Sequence, residues 1–249
     1  MTTPHLKIKN ATLYYNEKCV FKNLHFDLAK GKWTAILGQS GIGKSSLLRM
    51  IAGLIKDNIS GTISTDDASP LREQIAYMGQ TDLLLPWQSI LKNTLLSFQL
   101  RRRTNQKQAL HQATQLLIKV GLGDAINLYP HQLSLGMRQR AALVRTLLDD
   151  KPIILMDEPF SALDAITRYK LQGLAAELLA DKTVLFITHD PNEALRLAHF
   201  IFIMYKKPAV LKQVVTLQSP IPREVNNEQL VKLQTDLFHE LLQAVEAHN

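Results

Sequence analysis

The chain has 249 residues, 46% of them hydrophobic, and a formal net charge of +7. One elaborated α/β domain can reach about 250 residues, and a core of that size needs no disulfide framework. A single cysteine (Cys19), scattered histidines without zinc-type spacing and an N-terminus lacking a signal peptide's apolar stretch exclude a disulfide-rich secreted class, leaving a reducing cytosolic setting as the expectation.

In chain order, alternation at Leu24, Phe26 and Leu28, followed by the run Trp33 to Leu37, predicts two strands. The segment GQSGIGKS, Gly38 to Ser45, is a glycine-rich turn, and Ser45 to Ala52 reads as a helix. Short apolar runs at Ile75 to Met78, Ile153 to Met156 and Val184 to Ile187 predict buried, largely parallel strands. Helical patterns fall at Gln106 to Val120, Met137 to Leu148 and Thr167 to Leu179. Strands alternating with helices give an α/β sheet covered on both faces. Thr81 to Asp149 breaks that rhythm and reads as an inserted helical subdomain, about 81–149, within a single domain, 1–249. Leu230, Leu233, Leu237 and Leu241 have helical spacing, so an amphipathic helix is expected over about 227–247. The most apolar stretches are far shorter than a membrane span, so any transport role has to come through partners.

The Gly38–Ser45 segment fits G-x-x-x-x-G-K-[ST] in the context that pattern requires, after a strand and opening a helix. Glycines let the backbone curl so that the N–H groups of Gly38, Gln39, Ser40, Gly41, Ile42 and Gly43 can face phosphate oxygens, and the helix N-terminus adds partial positive charge. Lys44 would reach the β- and γ-phosphates, Ser45 would ligate Mg²⁺, and Ser46 joins the nucleotide-binding set. By composition, about one chain in a hundred of this length would match the pattern by chance. A second strand end, IILMDE, places Asp157 and Glu158 at the carboxyl edge of the sheet. Asp157 suits Mg²⁺ coordination, and Glu158 suits a general base that polarises water.

LSLGMRQR, Leu133 to Arg140, resembles the signature of ABC transporter ATPases, LSGGQ in its commonest form. The resemblance runs from Tyr15 to at least Asp190. It implies that Tyr15 stacks on adenine and that Gln80 is the Q-loop glutamine, a Mg²⁺ ligand near the reacting phosphate. It further implies that Ser161 to Asp164 form the D-loop, with Asp164 near nucleotide, and that His189 contacts the γ-phosphate. The implied fold is an α/β P-loop core with a mostly parallel sheet, an N-terminal antiparallel β subdomain and an inserted helical subdomain. The implied substrate is ATP with Mg²⁺, bound between this chain and a second copy or a paralogue packed head to tail, Ser134 and Gly136 of one facing the γ-phosphate held by the other. Leu135 departs from the family pattern, where glycine is usual, and its side chain is expected to point away from the phosphate.

The run Leu84-Leu85-Pro86-Trp87 resembles the importer branch for nitrate, taurine, alkanesulfonates and thiamine-pyrimidine precursors. That implies membrane permease subunits as partners, a substrate-binding protein acting through them, and a peripheral location on the cytoplasmic face of the inner membrane. Trp87 is the expected anchor at the permease groove. Arg101-Arg102-Arg103 with Lys107 reads as a solvated charge run, with a lipid-headgroup patch as the alternative. The +7 charge motivates a rival, a soluble ABC ATPase acting on nucleic acid or ribosomes. The absence of a second ATPase domain or long coiled coils argues against nucleic acid. Leu135 motivates another, a weakly hydrolysing nucleotide sensor.

Overall fold

A computed structural model describes residues 3–15, 17–67, 69–100, 106–224 and 228–246. Its elements begin with β1 (Leu6–Tyr15), β2 (Lys18–Leu28), β3 (Trp33–Leu37), α1 (Lys44–Ile51), β4 (Ile59–Thr65), α2 (Leu71–Gln74) and β5 (Ile75–Met78). Next come α3 (Ile90–Thr94), α4 (Leu96–Leu100), α5 (Gln106–Lys119), α6 (Leu135–Leu148), β6 (Ile153–Asp157) and α7 (Ala165–Leu178). The chain continues through β7 (Thr183–Ile187), α8 (Pro191–Leu197), β8 (Phe200–Tyr205), β9 (Val210–Thr216) and α9 (Glu228–Glu246). It divides into two compact units: residues 1–75, 151–158 and 180–249, and residues 76–150 and 159–179.

The first unit holds two sheets. An antiparallel sheet has the order β2-β1-β4. The buried residues of β1 are Leu6, Ile8, Ala11 and Leu13, so the two-residue period slips by one between Ile8 and Ala11. Asn10 makes that slip with a φ of 51°, and Asn23 makes a matching one in β2 with a φ of 50°. Asparagine tolerates this left-handed conformation, and the bulges keep both flanking apolar sets on the core side. Strand β2 therefore starts earlier than the Leu24 alternation predicts, because the bulge hides Phe21 from a strict period of two.

The second sheet runs β6-β7-β3-β8-β9 within this unit, parallel except where β9 pairs antiparallel with β8. Strands β3, β6 and β7 are buried at every residue, the pattern of strands covered on both faces. Register matters for function. Asp157 pairs with Ile187, and Ile187 pairs with Ile36, so the carboxyl ends of β6, β7 and β3 lie side by side. Helix α9 packs against α8 and β8 with Leu230 and Leu237 buried.

The second unit is helical apart from β5, which spans the division at its first residue. Helices α3, α5 and α6 pack on one another, with Ile90, Ala109, Ala113, Leu117 and Leu143 buried between them. Besides residues 76–150 it takes in 159–179 with α7, which the sequence pattern does not separate from the sheet-forming segments. Arg101, Arg102 and Arg103 lie outside the described residues. Among the described residues no helix is long and apolar enough to cross a membrane.

Candidate functional site: a phosphate cradle at three strand ends

The loop from Gly38 to Gly43 leaves β3 and enters α1. Gly38, Gly41 and Gly43 have φ values of 146°, 74° and 115°, which side-chain-bearing residues rarely adopt. Two of these glycines are also required by close packing. A Cβ on Gly43 would lie 2.6 Å from Val20 Cγ1, and one on Gly38 would collide with the Met204 carbonyl. The loop is thus backed by β2 and β8. Gly43 caps α1 with backbone alone and supplies no side-chain acceptor to the first N–H groups of that helix. Lys44 is buried, and its Nζ donates to the carbonyls of Gly38 and Gln39, each at 2.7 Å. Burial pulls its pKa down, opposed by the carboxylates of Glu158 and Asp157.

Asp157 ends β6 with only 1% of its surface exposed. Burial pushes its pKa up, while a hydrogen bond donated by Ser45 and the charges of Arg49 and Lys44 hold it down. Its Oδ2 is buried without a hydrogen-bond partner. A hydroxyl and a partly unsatisfied carboxylate next to a phosphate loop form the oxygen donor set that a hard divalent cation takes, so these residues fit Mg²⁺.

Glu158 follows with a φ of 51°, a strained left-handed conformation for glutamate, and its N–H donates to the Ile187 carbonyl at 3.0 Å. That bond ties Glu158 to the end of β7, where the next residues are Thr188 and His189. His189 Nδ1 lies 3.6 Å from Glu158 Oε2, with the imidazole side chain 66% exposed. Lys44, Ser45, Asp157, Glu158 and His189, assigned from separate stretches of sequence, are brought together at this edge of the first unit. Tyr15 ends β1 opposite Lys18, with 44% of the residue's surface exposed.

The other expected residues belong to the second unit. Gln80 is exposed just beyond β5. Ser134 and Asp164 are both helix N-caps. Ser134 Oγ accepts from the Met137 N–H at 3.3 Å, and Asp164 Oδ1 accepts from the Thr167 N–H at 3.0 Å. The Thr167 N–H and hydroxyl hold the Asp164 carboxyl below its usual range. These caps explain why α6 and α7 begin at Leu135 and Ala165, two residues before the predicted starts. A Cβ on Gly136 would stand 3.0 Å from the Ala162 carbonyl, so the LSLGM and SALD turns are in contact. Gln139 braces them, its Nε2 donating to Ser161 Oγ at 3.2 Å and its Oε1 accepting from the Ala162 N–H at 2.9 Å. Leu135 is 60% exposed. Sequence reasoning missed Gln139, Val20, Arg49 and Met204, because nothing local marks a residue that supports a turn formed elsewhere in the chain.

The LLPW segment is held from behind. Asn93, fully buried, accepts from the Leu85 N–H at 2.7 Å and donates to the carbonyls of Leu85, Gln88 and Ser89. Arg145 donates to the carbonyls of Asp82 and Leu83, and Arg138 pairs with the Asp82 carboxylate at 2.9 Å. Trp87 is 69% exposed on this ordered loop.

Residues 21–161 match the ABC transporter family. The chain belongs to that family. An uncharacterized ABC transporter ATP-binding protein of Haemophilus influenzae is 40% identical over 239 residues, 95% of this chain and 98% of that protein. A Streptomyces avermitilis relative named aliphatic sulfonates import ATP-binding protein SsuB 1 is 35% identical over 95% of this chain and 86% of its own length. The dimeric post-hydrolysis structure of the ATP-binding cassette MJ0796, bound to ADP and Pi, is similar with a TM-score of 0.76 at 31% identity. It covers 86% of this chain and 99% of that one. The expected P-loop ABC fold is the fold observed, and the chain is an ATP-binding ATPase subunit of this family.

Proposed function

We propose that this ABC ATPase powers an importer for a small organic anion, working as a pair of chains beneath separate membrane permeases fed by a substrate-binding protein. The observation that carries the catalytic part is the meeting of Lys44, Asp157, Glu158 and His189 at the adjacent ends of β3, β6 and β7. The loop N–H groups and Lys44 bind the ATP phosphates, while Tyr15 stacks on the adenine. Ser45, Asp157 and Gln80 would hold Mg²⁺, which when bound neutralises phosphate charge. Glu158, tied to the end of β7, takes a proton from the attacking water, and His189 beside it orients the γ-phosphate. Ser134 and Gly136, with the N-terminus of α6, meet the phosphates bound by the second copy, and Asp164 completes that face. ATP then joins two copies and hydrolysis releases them. The exposure of Leu135 is compatible with a side chain directed away from that contact.

The import direction and the organic-anion class are supported by the sulfonate-import relatives together with the LLPW loop, which displays Trp87 for a permease. The permease and binding protein select the substrate, because this subunit handles only ATP. These assignments place the chain on the cytoplasmic face of the membrane.

Lys44→Ala should lose ATP binding and turnover. Glu158→Gln should keep ATP binding, lose about 10²–10⁴-fold in turnover, and accumulate as an ATP-bound dimer measurable by light scattering. Wild-type hydrolysis by the Lys44 variant would refute the cradle assignment. Affinity capture from gently solubilised membranes should recover a multi-spanning permease, and recovery of ribosomes alone would refute the importer assignment.

A further inference from the structure

Helix α8 starts two residues after His189 and has only seven residues. A helix this short is not stable alone, so its position depends on what holds its ends. At the N-terminal end, Asp190 caps it by accepting from the Asn192 N–H at 2.9 Å, and the Asp190 N–H donates to Thr188 Oγ1 at 3.0 Å. At the C-terminal end stands a residue from far along the chain. Arg223, 6% exposed, sends Nη1 to the carbonyls of Leu195 and Ala198 at 2.8 and 2.7 Å. Its backbone N–H donates to the Arg196 carbonyl at 3.0 Å. The guanidinium is itself fixed, Nε donating to Ser219 Oγ at 2.7 Å and Nη2 to the Ser219 carbonyl at 2.9 Å. These contacts satisfy carbonyls that the helix end leaves open, with a cation at the negative pole of its dipole.

The rest of α8 has no slack. Glu193, Ala194, Leu195, Arg196 and Leu197 are all buried. A seven-residue helix is about 10 Å long, so a shift at its last carbonyls reaches its first residues almost undamped. His189 sits directly beyond those first residues, 3.6 Å from Glu158. The hydrogen bonds of Arg223 to Leu195, Arg196 and Ala198 link it to His189 through α8.

We propose that Arg223 is a positioning residue for His189: by clamping the C-terminal carbonyls of α8 it sets where the imidazole stands relative to Glu158. This inference rests on the assignment of His189 to the γ-phosphate. Misplacement by about 1 Å can cost up to about 10²-fold in rate. Arg223→Ala should therefore lower kcat about tenfold or more, with the KM for ATP changed less than about twofold. Arg223→Lys keeps the charge but loses the fork that bridges two carbonyls, and should fall between the two.

The test measures steady-state ATP hydrolysis with Mg²⁺, and binding of a fluorescent ATP analogue, on the full chain. It compares wild type, His189→Ala, Arg223→Ala, Arg223→Lys and the double variant His189→Ala with Arg223→Lys. A lower kcat in Arg223→Lys with retained analogue binding, and no further loss when His189 is already absent, is the expected result. Wild-type kcat in Arg223→Lys and Arg223→Ala overturns the proposal, as do losses that multiply independently in the double variant. If Arg223→Ala does not fold, the lysine variant and its double carry the same decision. Unimpaired turnover by His189→Ala would overturn the catalytic assignment of that histidine and this inference with it, whereas the other two negative results leave that assignment intact.

Discussion

His199 illustrates how one side chain can serve the sheet without chemistry of its own. Its Nδ1 accepts from the Trp33 N–H at 3.2 Å, and the His199 backbone N–H donates to the Trp33 carbonyl at 2.8 Å, so the first residue of β3 is held before the phosphate loop begins. Accepting through Nδ1 requires the neutral ring. Burial, reinforced by the nearby charges of Lys32 and Arg223, lowers its pKa from 6.5 to about 4. Between those values the unfolded chain binds the proton and the folded chain does not. Stability is therefore complete above pH 6.5 and declines as pH falls toward 4. Because the ring is only half-buried, the loss after solvent screening is about 1–2 kcal/mol. His199→Asn, which keeps an acceptor but cannot titrate, should narrow the difference in urea midpoint between neutral and mildly acidic buffer. An unchanged difference would show that another group is responsible.

At the scale of elements, the loop between β5 and α3 owes its shape to side chains outside it. Leu83 has a φ of 49°, the backbone from Asp82 to Ser89 finds partners on Asn93 and Arg145, and Arg138 holds the Asp82 carboxylate. Burial lowers the Arg145 pKa, opposed by Asp82 and Asp149. Asn93→Ala removes the acceptor of the Leu85 N–H and the side-chain donor to the Gln88 carbonyl, while the Leu85 and Ser89 carbonyls keep backbone donors, a cost of about 1–3 kcal/mol. The expected outcome is a lower urea midpoint and faster hydrogen exchange at the Leu85 amide. Exchange as slow as in wild type would mean that α6 alone holds the loop. Helix α6 carries both the Ser134 cap and the two arginines, so a single rigid element serves the signature turn and the LLPW loop.

For the molecule as a whole, the unit that holds the phosphate cradle draws on residues from both ends of the chain. Leu6, Ile8 and Leu13 are buried near its start, and Leu230 and Leu237 near its end. Leu241 and Ala244 of α9 line one cleft with Gly38, Gln39, Ile42 and Met204, so the C-terminal helix reaches the back of the phosphate loop. The Lys212–Glu240 pair at 2.7 Å fastens the same helix to β9, an exposed contact of small energetic weight. Packing supplies the larger share. Leu237, 1% exposed, should cost about 2–4 kcal/mol when cut to alanine. Chemical denaturation should report that loss, and a change below about 0.5 kcal/mol, ordinary for a surface site, would show that α9 packs elsewhere in solution.

Contiguous signals were legible in the amino-acid sequence. The GQSGIGKS turn, the IILMDE strand end and the LSLGM and SALD turns are short segments whose chemistry depends on neighbours one to five residues away. Their helix caps and left-handed glycines follow from backbone sterics and local hydrogen bonding. The core strands β3, β6 and β7 were legible too, since burial on both faces leaves an unbroken apolar run. Beta strands β1, β4, β8 and β9 were not read, because bulges at Asn10 and Asn23 or mixed burial blur the pattern. The arginine clamp on α8, the Gln139 brace and the backing of Gly43 by Val20 were equally hidden. Each joins residues more than twenty positions apart, and a buried polar group or a close approach acquires its partner only when the sheet order brings those segments together. Sequence by itself determined the family and the motifs from which nucleotide-handling residues are assigned, while the tertiary structure decided which other residues hold those motifs in place.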